Sequence, residues 1–256
     1  MRSLALIIFF CSSMLFAGSI QATEQYNEKT LVFKSPGYQT SLLELYTSEG
    51  CSSCPPAEAW LADISDKGFE DSSVIPLAFH VTYWDYIGWK DRFSKKQFDQ
   101  RQRKMARNEG ARTVYTPQFF LNGKTIRRLA SLKTTLGQKI KQDARLLIKS
   151  SLTDQNKDHL INIELISKKQ EYGNVQVNIA AYKNNLKSSI KAGENAGRDT
   201  IHQYVVDELQ TASVSLQKKT GKNFVFLNQK QDISGYVVFV EENGLIIQAL
   251  NMPVSN

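Results

Sequence analysis

The chain has 256 residues, of which 41% are hydrophobic and 22% charged, and its 32 Lys and Arg against 25 Asp and Glu give a formal net charge of +7. That moderate basic excess, without an interleaved aromatic ladder or zinc-finger spacing, excludes an evident nucleic-acid-binding module. Three cysteines do not make a disulfide scaffold, and no repeat or low-complexity segment is present.

In chain order, Met1-Arg2-Ser3, the apolar run Leu4 to Phe16 and Ile20-Gln21-Ala22 have the form of a secretory signal peptide cut after Ala22. The run is short for a bilayer span, and no later stretch approaches the roughly 20 apolar residues such a span needs. The expectation is an exported chain, periplasmic or secreted, with no stable membrane insertion. Cys11 and Arg2 leave with the signal, which lowers the net charge from +7 to +6.

Leu42 to Tyr46 reads as a buried strand, followed by a helix with Ala57, Trp60, Leu61 and Ile64 on one face and Gly68 at its end. Pro55 and Pro56 occupy its first turn, where a missing N–H costs least. Val74 to Phe79 reads as a second strand, parallel to the first through a right-handed crossover, with Pro76 as a reservation. Ser94-Lys95-Lys96-Gln97 has the form of a capping box opening a helix that carries Phe98 and Met105 and stops near Gly110. Its basic run, Arg101 to Arg107, reads as a solvated face. Val114 to Leu121 meets Asn122-Gly123, a strong hairpin signal, and Lys124 to Arg128 pairs back.

Residues 131–149 place Leu132, Leu136, Ile140, Ala144 and Leu147 on one helical stripe. Polar residues 151–158 then read as a linker. Beyond it, Leu160 to Ile166, Val175 to Tyr182, Ile201 to Leu209, Ala212 to Leu216, Phe224 to Leu227, Tyr236 to Val240 and Leu245 to Leu250 suggest seven short strands. The organisation expected is an α/β domain over residues 23–150 with the order β-α-β-α-β-β-α, then a smaller all-β, sandwich-like domain over residues 151–256.

Cys51 and Cys54 are the cysteines that remain after signal removal, spaced three apart between a strand and a helix. A thiol near a helix N-terminus is stabilised as thiolate by the dipole and unpaired N–H groups, so Cys51 is the candidate nucleophile and Cys54 the resolving thiol. Ser52 and Ser53 can donate to the Cys51 sulfur. An inert disulfide and half of a metal site are the rival readings. Closed zinc sites need four ligands, and only His80, His159 and His202 remain as further soft donors, so the metal alternative is a copper site of Cys51, Cys54 and His80.

The element order, the Cys-x-x-Cys after the first strand and Thr116-Pro117 at the start of the third resemble the thioredoxin fold. In that family the proline is cis, it faces the dithiol, and the residue before it pairs with the substrate backbone, which implies a substrate-binding role for Thr116 and Pro117. The expected strand directions also bring Thr116-Pro117 to the edge that carries Cys51. The resemblance implies that Glu44, upstream of the cysteines, is a buried proton acceptor for Cys54; an edge glutamate facing solvent is the other reading. More specifically, the chain resembles a secreted thioredoxin-like family catalogued as a domain of unknown function, number 1223. Residues 44–57, 80–91, 115–118 and 193–198 carry that likeness.

His80 to Trp89 follows the second strand at the same edge. Tyr83, Trp84, Tyr86 and Trp89 can wall a substrate groove or, in the other reading, belong to a loop packed back on its own domain, and His80 can act as a proton shuttle, copper ligand or cap. Glu194, Asn195, Arg198 and His202 form a polar cluster at the domain interface or in a ligand site, with no catalytic role assigned. The function expected is thiol-disulfide oxidoreduction on protein or small-molecule disulfides, with a thiol or disulfide substrate, a redox partner and no organic cofactor. A non-catalytic binding protein, delivering copper, is the alternative.

Overall fold

The structure is a computed structural model that describes residues 29–69, 73–132, 134–136, 142–155, 158–168, 173–226 and 233–254. The signal segment, Cys11, Ile140 and Leu227 lie outside the described residues. In chain order the elements are β1 (Thr30–Lys34), β2 (Ser41–Thr47), α1 (Pro55–Ala62), β3 (Val74–His80), α2 (Lys96–Asn108), β4 (Gln118–Leu121), β5 (Lys124–Ile126), β6 (Leu146–Gln155) and β7 (Asp158–Ser167). There follow β8 (Asn174–Lys183), β9 (Leu186–Ser189), β10 (Asp199–His202), β11 (Val205–Ser215), β12 (Lys219–Phe226), β13 (Gly235–Glu242) and β14 (Leu245–Pro253). Short 3₁₀ turns occupy Asp85–Ile87 and Leu129–Ser131.

β3 is apolar except for His80, β2 is apolar except for Ser41, Glu44 and Thr47, and both are buried throughout, as central parallel strands covered on both faces must be. They sit inside an eight-stranded sheet of order β14-β13-β8-β11-β3-β2-β4-β5. A second sheet, β1-β6-β7-β12, packs on β8, β13 and β14 through Ile148, Ile161, Val177 and Val238. On the same face, α1 covers β2, β3 and β4 through Leu61 and Ile64. The opposite face receives α2, whose Phe98 and Met105 pack among Tyr46, Phe79 and Phe239.

These contacts correct the fold expected from sequence. Among the described residues the molecule is mostly β, with 50% strand against 15% helix, rather than an α/β thioredoxin-like domain followed by a separate sandwich. The physical reason is the free edge of β3. Tyr204, in the left-handed conformation at φ 57°, ends β10 and turns the chain so that Val205 pairs in parallel with Ala78. The Ala78 N–H donates to the Tyr204 carbonyl at 2.8 Å, and the C-terminal strands thereby extend the N-terminal sheet.

The 131–149 helix is also corrected. Among the described residues, helical turns occur up to Leu136, Ala144 lies in irregular chain, and Leu147 belongs to β6, where its neighbours Leu146 and Ile148 face the core. Residues 151–155 of the expected linker are strand, paired with β7 throughout and with β1 as well over Ser151, Leu152 and Thr153. Ser94 does not cap α2. Its hydroxyl donates to Asp85 and to the Asp91 carbonyl, and Lys95 holds the cap position.

The Asn122-Gly123 hairpin forms as expected, with φ 52° and 84°. A Cβ at Gly123 would lie 2.3 Å from the Gly244 carbonyl oxygen, so this turn requires glycine for space as well as for its left-handed backbone. The basic run on α2 is not wholly solvated. Arg101 is buried and grips Glu44 with two hydrogen bonds of 2.7 and 2.8 Å while reaching Glu241 at 3.2 Å.

Candidate functional site

β2 ends at Thr47, and the chain then turns tightly. Cys51 N–H donates to the Ser48 carbonyl, Cys54 N–H to the Cys51 carbonyl, and the N–H groups of Ala57 and Glu58 to the Cys54 carbonyl. Cys54 is thus the N-cap of α1, and Cys51 lies in the turn ahead of it. The two sulfurs are joined as a disulfide with Cα atoms 5.4 Å apart. Ser53 Oγ lies 3.4 Å from the Cys51 sulfur, the contact expected of the intervening serines.

Ser52 and Ser53 are exposed, but Cys51 is only 1% exposed and Cys54 not at all. The cover comes from the turn between β9 and β10. The buried Asn195 amide donates to the carbonyls of Glu49 and Cys51 at 2.8 and 2.9 Å, and the Glu194 carboxylate accepts from the Ser52 N–H at 3.3 Å. Gly193, at φ 75°, lets this turn press on Trp89, where an added Cβ would stand 3.2 Å from the tryptophan Cβ. The polar cluster read at Glu194, Asn195 and His202 therefore does meet the cysteine segment.

Behind the disulfide loop, β2, α1, β3, β10 and the turn before α2 converge on a buried set of acids and histidines. His202 faces Glu58 at 2.7 Å through Nδ1, and Glu49 at 3.1 Å and Thr200 Oγ1 at 2.9 Å through Nε2. Burial pushes the His202 pKa down, but the hydrogen bonds to Glu49 and Glu58 outweigh it and raise it to about 9. Burial pushes the Glu58 carboxyl up, yet His202, His80 and the Thr47 hydroxyl hold it below the ordinary range. Glu49 is lowered in the same way, against its burial, by His202, Ser188 and Trp89.

His80 is fully buried, and its Nδ1–H donates to Asp91 at 2.6 Å. Desolvation lowers its pKa, but the Asp91 carboxylate more than compensates and the net shift is upward; the same pairing lowers Asp91 despite its burial. His80 Nε2 has no hydrogen-bond partner among the described residues. The rings of His80 and His202 meet edge to face at 5.2 Å.

The remaining expected residues fall in two places. Trp84 packs on Gly50, and its indole N–H donates to Thr116 Oγ1 at 2.6 Å, so it links the cysteine turn to the cis Thr116–Pro117 bond. Tyr86 stands free at 80% exposure, whereas the Trp89 indole is committed to Glu49 at 2.7 Å. Glu44 is buried as one reading had it, but it is clamped by Arg101 and accepts from Tyr46, so its charge is already matched. Glu58, not Glu44, is the acid on the helix that follows the cysteines. The sulfurs of the expected copper set are bonded to each other, and the ligand atoms that converge with His80 come from Glu58 and His202.

Asp91, Glu49 and Glu58 had no role read into them from sequence. Glu49 and Asp91 lie inside the two quoted motifs, and Glu58 stands four residues after Cys54, a spacing that returns it to the same side of α1. A cavity of about 760 Å³ lies elsewhere, at the β4–β5 hairpin, with Lys124, Arg127, Arg128 and Arg145 in its wall.

Residues 42–241 match the family described as "Protein of unknown function (DUF1223)". Among solved structures, the chain is similar to protein AGR_C_4864 from Agrobacterium tumefaciens, with 23% identity and a TM-score of 0.65 over 86% of this chain and 97% of that one. It is also similar to HBP35 of Porphyromonas gingivalis, with 15% identity and a TM-score of 0.65 over 86% of this chain and 76% of that one. At such identities the likeness is one of fold alone. No curated protein matches the chain.

Proposed function

The chain belongs to the DUF1223 family, and from its own side chains we propose that it is an exported thiol-disulfide exchange protein working through Cys51 and Cys54. The observation that carries this reading is the short-range disulfide at the start of α1, beneath the turn between β9 and β10. A bridge closing so short a loop removes little entropy from the unfolded chain, so it is a poor structural staple. Export through Met1 to Ala22 would deliver the pair to a compartment where disulfides persist.

Exchange runs in two displacements. A substrate thiolate attacks the Cys51 sulfur, the Cys51–Cys54 bond breaks, and Cys54 leaves as a thiolate that takes up a proton. The second substrate thiol then attacks the mixed disulfide, loses its proton and expels Cys51. Two electrons and two protons pass from the substrate dithiol to the pair, which oxidises the substrate, and the reverse sequence reduces a substrate disulfide. Because Cys51 is buried, the Gly193–Arg198 turn must withdraw before a substrate enters. Trp84, Thr116 and Tyr86 then form the adjoining surface for the substrate chain.

The order of attack is tested with single-thiol variants treated with glutathione disulfide. Cys54→Ala is expected to form a mixed disulfide through Cys51, read as added mass, at least tenfold faster than Cys51→Ala forms one through Cys54. Equal rates, or no adduct on Cys51, would refute the assignment.

A further inference from the structure

We infer that Glu58, His80 and His202 form a binding site for one divalent transition-metal ion of the zinc class, separate from the cysteine pair. Their ligand atoms lie within 4.8 Å of one another, whereas a tetrahedral zinc with bonds of about 2.0 Å spaces its ligands roughly 3.3 Å apart, so a small inward movement completes the set. Two imidazoles and one carboxylate are a donor set that suits zinc.

Three features of the surroundings support a cation. His80 Nε2 is a fully buried nitrogen with no hydrogen-bond partner among the described residues, although buried polar atoms are nearly always paired. Its other nitrogen donates to Asp91, the carboxylate–histidine arrangement that orients metal ligands and raises their basicity. Thr47 likewise holds Glu58 through Oε1 at 2.5 Å, which leaves Oε2 toward His202. Third, Glu49, Glu58 and Asp91 bring three carboxylates together, and among the described residues no lysine or arginine pairs with any of them. A divalent ion offsets this concentration of buried negative charge. Coordination needs a free lone pair on each imidazole, so a proton on either ligating nitrogen leaves to solvent as the ion enters.

The site would join β3 and α1 to β10, and so tie down the hairpin whose turn covers the disulfide. It does not depend on the redox reading of the cysteines. The test uses the full mature chain with its disulfide intact, and zinc(II) alone as probe. The expected result is one zinc per chain retained after gel filtration and measured by elemental analysis, with equal retention in the Cys51→Ser/Cys54→Ser variant. His80→Ala and Glu58→Gln should each weaken binding at least a hundredfold. Cobalt(II) should give visible d–d absorption without a thiolate charge-transfer band. Thr200→Val, beside the ligands but outside the set, should keep the metal and control for disturbance of the pocket; circular dichroism checks that every variant folds. No zinc on the folded wild-type chain, undiminished zinc on folded His80→Ala, or loss of zinc from the cysteine variant would each overturn the site. The cysteine exchange rates are read separately, so the two proposals fail independently.

Discussion

Arg101→Met is expected to lower folding stability by about 3–5 kcal/mol, because it strands a buried carboxylate without its counter-charge. Glu44 is fully buried in the central strand β2, and its two oxygens receive both guanidinium hydrogen bonds. The same guanidinium lies 4.9 Å from the centre of the Phe239 ring and reaches Glu241, to which Lys104 adds a contact at 2.8 Å. Methionine keeps much of the volume and none of the charge. Urea unfolding at pH 7 reads the loss, and Glu44→Leu in the Arg101→Met background should recover most of it, since removing both partners of a buried pair is far cheaper than removing one. A loss below 1 kcal/mol would show that water reaches Glu44.

The pH profile of the same variant carries a sign. Burial raises the Glu241 carboxyl, but Arg101 and Lys104 outweigh it and hold its folded pKa below the ordinary value. The resulting stabilisation is complete above the unfolded pKa of about 4.3 and is lost as pH falls through the folded value. Arg101→Met should flatten that acid-side decline.

Asn195→Ala is expected to speed reduction of the Cys51–Cys54 disulfide by an external dithiol about tenfold or more. The side chain donates two buried hydrogen bonds to the carbonyls of Glu49 and Cys51, each contributing about 0.5–1.5 kcal/mol to holding the turn closed. If the buried sulfur is reached only through brief opening of this turn, the rate follows the open population, and each 1.4 kcal/mol is a factor of ten. Stopped reactions with dithiothreitol, alkylated and weighed, give the rate. Identical rates in the wild type and the variant would mean that thiols reach Cys51 by another route. Among the described residues Asn195 Oδ1 has no hydrogen-bond partner, so the substitution discards no compensating contact with them there.

β7, β8, β13 and β14, the Asn122-Gly123 turn and the start of α1 after the cysteines were legible in period, turn chemistry and proline placement, whereas the run read over Ile201 to Leu209 breaks at Tyr204 into β10 and β11, Ala212 to Ser215 continues β11, and β9 was not read. The assembly of the strands was not legible. Nothing local in Val205 or Ala78 announces that they pair in parallel across more than a hundred residues, so the expected domain boundary at 150 falls inside β6. Leu132, Leu136 and Leu147 fit a helical stripe, but Leu146 and Ile148 also fit a strand, and tertiary pairing with β1 and β7 decided for the strand.

At the site, the cysteines stood out because their spacing alone implies chemistry. Asp91, Glu49 and Glu58 did not, because a carboxylate reveals itself as buried and functional only when its histidine partner arrives from another element. Arg101 was hidden for the same reason: one arginine in a basic helix looks solvated until Glu44 and Glu241 close on it.

The reduction potential of the Cys51–Cys54 couple, measured by equilibrating the mature chain in graded thiol–disulfide buffers and counting alkylated thiols, bears most directly on the central claim. The account predicts a value between about −270 and −120 mV, the span of working exchange proteins. A value below about −300 mV, where structural disulfides sit, would contradict it.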